Sequence, residues 1–386
     1  MKYNTLKTLV IIGTRPEAIK MALLIKLLNK QKGIKNFVCV TAQHRSMLDQ
    51  VLSFFNIVPD FDLNVMHSDQ QLNTITARII DKLHEVLKTL NPDLVIVHGD
   101  TNTSFAAALT AFYNKIPIAH IEAGMRTGNL ALPFPEEANR ILTSKIANYH
   151  FAPTNLNVNN LLKERIAKKN IIKTGNTVID SLKYTAKIVT GFSDRVKDKK
   201  LLAAVKQKNQ IILVTGHRRE NFGKGFKEIC TALKNIATEF RNVNIIYPVH
   251  LNPNVKETVV ALLNGYENII LTEPLSYPDF VYLMKKSKLI LTDSGGIQEE
   301  GPSLGKPVLV MRDITERPEA LKAGTVKLVG TNNKKIENAV KQLLTDKKLY
   351  NKMSQTHNPY GDGKSSKRIL LWILKNSPNI IKSKPE

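Results

Sequence analysis

Residues 8–31 read "TLVIIGTRPEAIKMALLIKLLNKQ". A β-branched apolar run ends at Gly13, and after Pro16 the apolar residues return at helical spacing, which predicts a buried strand, a tight turn and a helix. Pro16 suits the first helical position and Glu17 the first turn. The unit then repeats: "FVCVTA" precedes "SMLDQVLSFFNI", "DLVIVHGD" precedes "TSFAAALTAFYNK", and "PIAHIEA" and "YHFAPT" follow. Apolar strands alternating with helices imply a parallel sheet covered on both faces, a doubly wound α/β domain.

A second series begins after the polar, lysine-rich stretch "TGFSDRVKDKKLLAAVKQKNQ", residues 190–210. It runs "IILVTG", "FKEICTALKNIATEF", "VNIIYPVH", "NIILTEP", "YPDFVYLMKKS", "LILTDSG", "PVLVM" and "TVKLVG". Phe226, Ile229, Cys230, Leu233, Ala237 and Phe240 share one helical face and are expected in a core. A chain of 386 residues is also longer than one core usually serves. The expected organisation is therefore residues 1–185 as one domain, 205–360 as a second, and 361–386 as an amphipathic helix crossing back to the first. Two such domains facing a central cleft would turn their strand carboxyl ends toward a common ligand.

Composition excludes several classes. Hydrophobic residues make up 42% and charged residues 23%, ordinary for a globular protein. No apolar run approaches the roughly 20 residues that span a bilayer, so no membrane role is expected. The N-terminal "LVII" is too short for a signal-peptide core, which makes the cytoplasm the simplest location. Cys39 and Cys230 stand in no disulfide or metal-ligand spacing and read as buried small hydrophobes. The net charge of +23 raises nucleic acid as a partner. The lysines are spread along the chain without aromatic interleaving, which argues against that reading, although a positive field would also attract a dianionic nucleotide.

Every unusual motif follows a predicted strand. In "GTRPEAIK", Gly13 permits a tight turn, while Arg15 and Lys20 are the right type to hold a phosphate or a carboxylate. The spacing is neither a P-loop nor a G-x-G-x-x-G motif, so dinucleotide binding is unsupported. Asp100 in "HGDT", Glu122 in "HIEAG" and Glu136 or Glu137 in "PFPEEANR" are three carboxylate positions at neighbouring strand ends or loops. Each alone has a capping explanation. Together they read as acid/base equipment, with Arg126 and Arg140 expected to lower their pKa values. His217 in "TGHRREN" occupies the corresponding strand end of the second series, where a histidine can titrate and donate to phosphate. In "DSGGIQEEG", residues 293–301, two glycines at a strand-to-helix turn admit close approach of an anion, and a following glutamate can accept from hydroxyls. Glu299 and Glu300 equally suit simple helix stabilisation.

In order and spacing, "GTRPEAIKMA", "TAQHR", "HGDTNTS", "HIEAGMRTGN", "PFPEEANR", "TGHRREN", "TDSGGIQEE", "RDITERPE" and "NPYGDG" resemble the bacterial non-hydrolysing UDP-N-acetylglucosamine 2-epimerases. The likeness covers roughly residues 8 to 375. It implies two Rossmann-like doubly wound domains in a GT-B-type arrangement, the first serving the sugar and acid/base chemistry and the second UDP. It also implies reversible conversion of UDP-GlcNAc to UDP-ManNAc without a cofactor or metal, by elimination of UDP to 2-acetamidoglucal and readdition. Matching positions assign the diphosphate to Ser294, Gly295 and Gly296, the ribose hydroxyls to Glu300, the phosphates to Arg15 and His217, and the uracil to the backbone at Phe280. Asp100, Glu122 and Glu136 match carboxylates of proton transfer and sugar binding, with Asp100 or Glu122 as base and Glu136 assisting. Lys20 and Arg140 join the substrate-binding set.

The likeness also implies a homodimer, a product destined for cell-envelope polysaccharide, and a second UDP-GlcNAc as activator near Gln43, Arg45, Glu137 and His250. Ala131, Leu132 and Pro133 depart from the family's more polar loop, a change that bears on activation and sugar choice. The alternatives are a hydrolysing 2-epimerase that releases UDP and ManNAc, and an epimerase for a different 2-acetamido sugar. A retaining glycosyltransferase, a polyanion binder and an inactive sugar-nucleotide sensor fit less well, because none requires clustered carboxylates.

Overall fold

The computed structural model describes residues 5–41, 45–66 and 71–382. The chain divides into two compact units, Met1–Ser181 with Tyr360–Glu386, and Leu182–Pro359.

The first unit holds a seven-stranded sheet ordered β3-β2-β1-β4-β5-β6-β7. Its strands are β1 (Leu6–Ile12), β2 (Ile34–Val40), β3 (Phe61–Asp62), β4 (Leu94–His98), β5 (Ile118–Ile121), β6 (Tyr149–Ala152) and β7 (Ile171–Lys173). The second holds six, ordered β10-β9-β8-β11-β12-β13. These are β8 (Gln210–Thr215), β9 (Val243–Pro248), β10 (Ile269–Thr272), β11 (Leu289–Thr292), β12 (Val308–Val310) and β13 (Val326–Leu328). All neighbouring strands are parallel. Each unit is thus a Rossmann-like doubly wound domain. The order reverses between β1 and β4 in one sheet and between β8 and β11 in the other, and open α/β sheets bind ligands at such switch points.

The central strands are apolar because both faces are covered. Leu9, Val10, Ile11 and Ile12 of β1 are fully buried, as are Leu94, Val95, Ile96 and Val97 of β4. The helix after β1 spans Arg15–Lys30 and starts with a capping box: Glu17 Oε2 accepts from the Thr14 N–H at 2.8 Å, and the Glu17 N–H donates to Thr14 Oγ1 at 3.4 Å. Gly13 is required by packing. A Cβ there would lie 2.2 Å from Thr103 Oγ1 and 2.5 Å from Thr41 Oγ1. In the second unit Phe226, Ile229, Cys230, Leu233 and Ala237 are buried as the helical pattern predicts, while Phe240 caps the helix half-buried. Cys39 and Cys230 are buried free thiols, both pushed up to about 12 by burial.

The C-terminal helix Ser365–Lys382 packs within the first unit. Asp180 accepts from the N–H groups of Ser365 at 3.1 Å and Ser366 at 2.7 Å, and Trp372 sits against Tyr149 and Phe151 with ring centroids 4.8 and 5.3 Å away. Among the described residues no helix is long and apolar enough to cross a membrane.

Candidate active site

The first unit carries a cavity of about 450 Å³ at the β1/β4 switch point, lined by Lys20, His98, Asp100, Asn102, Glu136 and Asn139 among others. The turn after β4 supplies part of its lining. Gly99 adopts φ +68, a conformation glycine enters without strain, and its carbonyl accepts from His120 Nε2 at 2.7 Å. Burial holds His120 down at about 3, so this contact is made by a neutral ring whose Nε2 bears the proton. Asp100 follows immediately. Its Oδ2 accepts from Arg140 Nε at 2.9 Å and from the Arg140 terminal nitrogen at 2.7 Å, and its carbonyl accepts from the Asn139 amide at 3.0 Å.

Glu122 lies one residue past β5 with φ +62, an uncommon conformation for a non-glycine residue and one that often marks function. Its Oε2 is 2.5 Å from Lys20 Nζ and 3.1 Å from His98 Nε2. Burial alone would raise this carboxyl, but the Lys20 ammonium and then the His98 ring outweigh it and hold Glu122 well below the ordinary carboxylate range. Glu136 opens the helix Glu136–Ile146, half-buried at the cavity wall. Glu137 is fully buried: Oε1 accepts from the Thr127 and Gly128 N–H groups at 2.9 and 3.0 Å, and Oε2 from Arg140 at 2.9 Å. Arg140 therefore bridges Asp100 and Glu137.

Beneath these groups lies a residue to which the sequence reading assigned no chemistry. Buried Glu17 accepts at Oε2 from the Gly13 and Thr14 N–H groups at 3.0 and 2.8 Å, and at Oε1 from Thr101 Oγ1 at 2.7 Å. One carboxylate thus ties the loop after β1 to the loop after β4. The signal was present as the T-x-x-E capping box of residues 14–17. His98 was likewise missed, although it directly precedes "GD" at a strand end.

Arg126 requires a correction. It was expected to act on the clustered carboxylates, but its Nε donates to Glu164 at 2.6 Å and a terminal nitrogen to Ser144 Oγ at 3.1 Å. Glu164 satisfies the guanidinium locally. Arg15 begins the first helix, half-buried. Gln43 lies outside the described residues, and Arg45 is the first residue of the helix Arg45–Phe55.

In the second unit the loops after β8 and β11 meet. Thr215 Oγ1 and Thr292 Oγ1 are 2.6 Å apart, and buried Asp293 accepts at Oδ2 from the N–H groups of His217 and Arg218, both at 2.9 Å. The His217 side chain is 41% exposed, with Nδ1 3.4 Å from Asp293 Oδ1. Its ring stacks on that of exposed His250, centroids 5.4 Å apart at 21°. Burial lowers His217 below the ordinary histidine range; Asp293 opposes this, while Arg218, His250 and Arg312 reinforce it.

Ser294, Gly295 and Gly296 form the turn into the helix Ile297–Ser303. Neither glycine has a positive φ. What they provide is room: a Cβ on Gly295 would lie 3.4 Å from the Arg317 guanidinium, and one on Gly296 3.9 Å from Glu300 Oε2. Glu299 is more than a dipole partner, because it is fully buried and its Oε1 accepts from Arg317 Nε at 2.9 Å. Glu300 is buried beside the turn. Phe280 sits in the first turn of the helix Tyr277–Lys286, its N–H donating to the Ser276 carbonyl at 2.9 Å. Among the described residues no group of three or more His, Cys, Asp or Glu is arranged to hold a metal ion.

Two doubly wound domains with charged clusters at their switch points define a ligand-binding α/β protein. Residues 26–374 match the family model of UDP-N-acetylglucosamine 2-epimerase. The chain is 55% identical over 376 residues to the UDP-N-acetylglucosamine 2-epimerase of Escherichia coli K12, covering 96% of this chain and 99% of that one. It is similar in structure to the Neisseria meningitidis UDP-GlcNAc 2-epimerase crystallised with UDP-GlcNAc, at TM-score 0.87 and 51% identity over 96% of this chain and 100% of that one. The Methanocaldococcus jannaschii UDP-GlcNAc 2-epimerase in complex with UDP-GlcNAc and UDP gives TM-score 0.80 at 36% identity, with 96% and 100% covered. The chain belongs to the UDP-N-acetylglucosamine 2-epimerase family.

Proposed function

We propose that this protein interconverts UDP-GlcNAc and UDP-ManNAc without hydrolysis. The observation that carries the reading is the Lys20–Glu122–His98 cluster beside the Asp100–Arg140 pair, in a chain of this family.

Direct inversion at carbon 2 requires loss of a weakly acidic proton. Elimination lowers that demand, because a base takes the carbon-2 proton as the carbon-1 to oxygen bond breaks and UDP departs with the electron pair. Asp100 or Glu122 serves as the base and Glu136 assists. Glu122 suits the role in being a carboxylate already, and the Lys20 cation then lies beside the charge that moves. Readdition of UDP to 2-acetamidoglucal, with the proton returned to the other face, gives the epimer. Arg15 and His217 stabilise the diphosphate as negative charge develops on it. Ser294, Gly295 and Gly296 receive the diphosphate, Glu300 the ribose hydroxyls, and the backbone at Phe280 the uracil.

Family resemblance alone supports the remaining inferences: a homodimer, a cytoplasmic location, a role in supplying ManNAc units for cell-envelope polysaccharide, and a second UDP-GlcNAc as activator near Gln43, Arg45, Glu137 and His250. Glu137 has both oxygens engaged, so an activator using that side chain would have to displace Arg140 or the N–H groups of Thr127 and Gly128.

Proton NMR of UDP-GlcNAc with the purified protein in deuterated water tests the reading. UDP-ManNAc carrying deuterium at carbon 2 is expected. Free ManNAc with accumulating UDP would select the hydrolysing alternative, and unchanged substrate would overturn both.

A further inference from the structure

The loop after β11 holds a charged group that the reaction above leaves unused. Asp293 is fully buried, and its two oxygens have different neighbours. Oδ2 accepts from the His217 and Arg218 N–H groups at 2.9 Å and faces the Asn221 amide at 3.3 Å. Oδ1 is buried without a settled hydrogen bond, and His217 Nδ1 lies 3.4 Å from it.

Clamping the loop calls for one acceptor oxygen and no charge. An ionised carboxylate is costly to bury, and the cost is greater when one oxygen lacks a hydrogen bond. What the charge adds is a preference for a proton on the facing ring nitrogen. The other charged or titratable groups about the ring, Arg218, His250 and Arg312, are cationic or become so on protonation, and all disfavour an imidazolium. Asp293 alone among these neighbours favours it. The stack on His250 limits rotation of the ring away from Oδ1. The 3.4 Å separation is longer than a settled hydrogen bond, and contacts of this kind tighten when the ring becomes charged.

We infer that Asp293 is a positioning residue: by accepting from Nδ1–H it sets the His217 tautomer, leaves Nε2 unprotonated toward the ligand, and supports the imidazolium that forms when Nε2 takes up a proton from solvent and then donates it in a hydrogen bond to an anionic oxygen. This rests on the reading that His217 meets the phosphates of the nucleotide sugar.

Nitrogen NMR of protein labelled with 15N at histidine reads the tautomer directly, with His217→Asn used to assign the resonance. A protonated Nδ1 and an unprotonated Nε2 in the neutral ring are expected, and the opposite tautomer would overturn the inference. In Asp293→Asn the amide oxygen can keep the backbone contacts, which turns the amide nitrogen toward Nδ1 as a donor and reverses the tautomer. The expected result is a fall in kcat of about tenfold or more with little change in KM. Adding Asp293→Asn to His217→Asn should cost nothing further, and an equal loss in that background would show that Asp293 acts independently of the ring. Unchanged turnover in His217→Asn alone would overturn the phosphate role of His217, while the tautomer would still report the Asp293 contact by itself.

Discussion

Lys20 Nζ lies 2.5 Å from Glu122 Oε2, although 102 residues separate them in the chain. The first helix carries Lys20 in its second turn, and the left-handed backbone of Glu122 turns its carboxylate to meet it. With His98 as a second neighbour, this buried carboxylate keeps its charge where burial alone would remove it.

Lys20→Met removes the Lys20 charge, the largest single cause that lowers the Glu122 pKa. The carboxyl then titrates higher, so the acidic limb of the kcat/KM profile should move to higher pH if Glu122 is the base. Turnover should also fall by about 10²-fold. A pH–rate series on wild type and variant measures both. An unmoved limb with reduced turnover would instead assign the base to Asp100.

Arg140→Lys replaces a planar fork that holds Asp100 and Glu137 together with a single point charge. Arginine and lysine are not equivalent at such a site. The expected loss in kcat/KM is roughly 10- to 100-fold, the equivalent of one or two charge-assisted hydrogen bonds. Steady-state kinetics check it, and wild-type values would exclude Asp100 from the acting set.

His120 gives stability a dependence on pH whose sign is fixed. Its folded-state pKa of about 3 lies below the ordinary 6.5 of the unfolded chain, so below pH 6.5 the unfolded state takes up a proton that the folded state refuses. Stability should therefore fall as pH drops from 6.5 toward 3, by up to about 1.4 kcal/mol per pH unit from this group. Urea unfolding at successive pH values should show a shallower decline in His120→Gln than in wild type. Equal slopes would refute the assignment.

Gly13→Ala should destabilise the first unit by about 1–3 kcal/mol, because the added methyl meets two buried threonine hydroxyls. Denaturant unfolding followed by circular dichroism would detect the shift. An unchanged midpoint would mean that Thr41 and Thr103 can move aside.

Much of the fold was legible because it is written in local periodicity. Buried parallel strands must be apolar on both faces, so β1, β2, β4, β8 and β11 stand out as short β-branched runs between helices. The edge strands of the first sheet did not. β3 and β7 are two and three residues long, too short to carry a pattern, and exist because a neighbouring strand offers its free edge. The helix Leu72–Leu90 went unnamed although Ile75, Ile79, Leu83 and Leu87 recur at fourfold spacing and are buried.

At the site, the motifs themselves marked Asp100, Glu122, His217 and the 294–296 turn as candidates, because unusual charged or glycine residues recur where apolar strands end. Residue type and position after a strand are properties of the linear chain. Which group meets which is not. Lys20 with Glu122, Arg140 with Asp100 and Asp293 with His217 are joined across 102, 40 and 76 residues, by a strand order that sets β1, β4 and β5 side by side and β8 beside β11. Arg126 shows the other side of the same point: on sequence it was as good a partner for the clustered carboxylates as Arg140, yet Glu164 lay within reach and took it. The sequence alone determined the parallel α/β architecture and the residue types at each strand end. Only the tertiary structure decided the pairings, because the energy of a charge depends on its distance to other charges and on its burial, and both are set by packing.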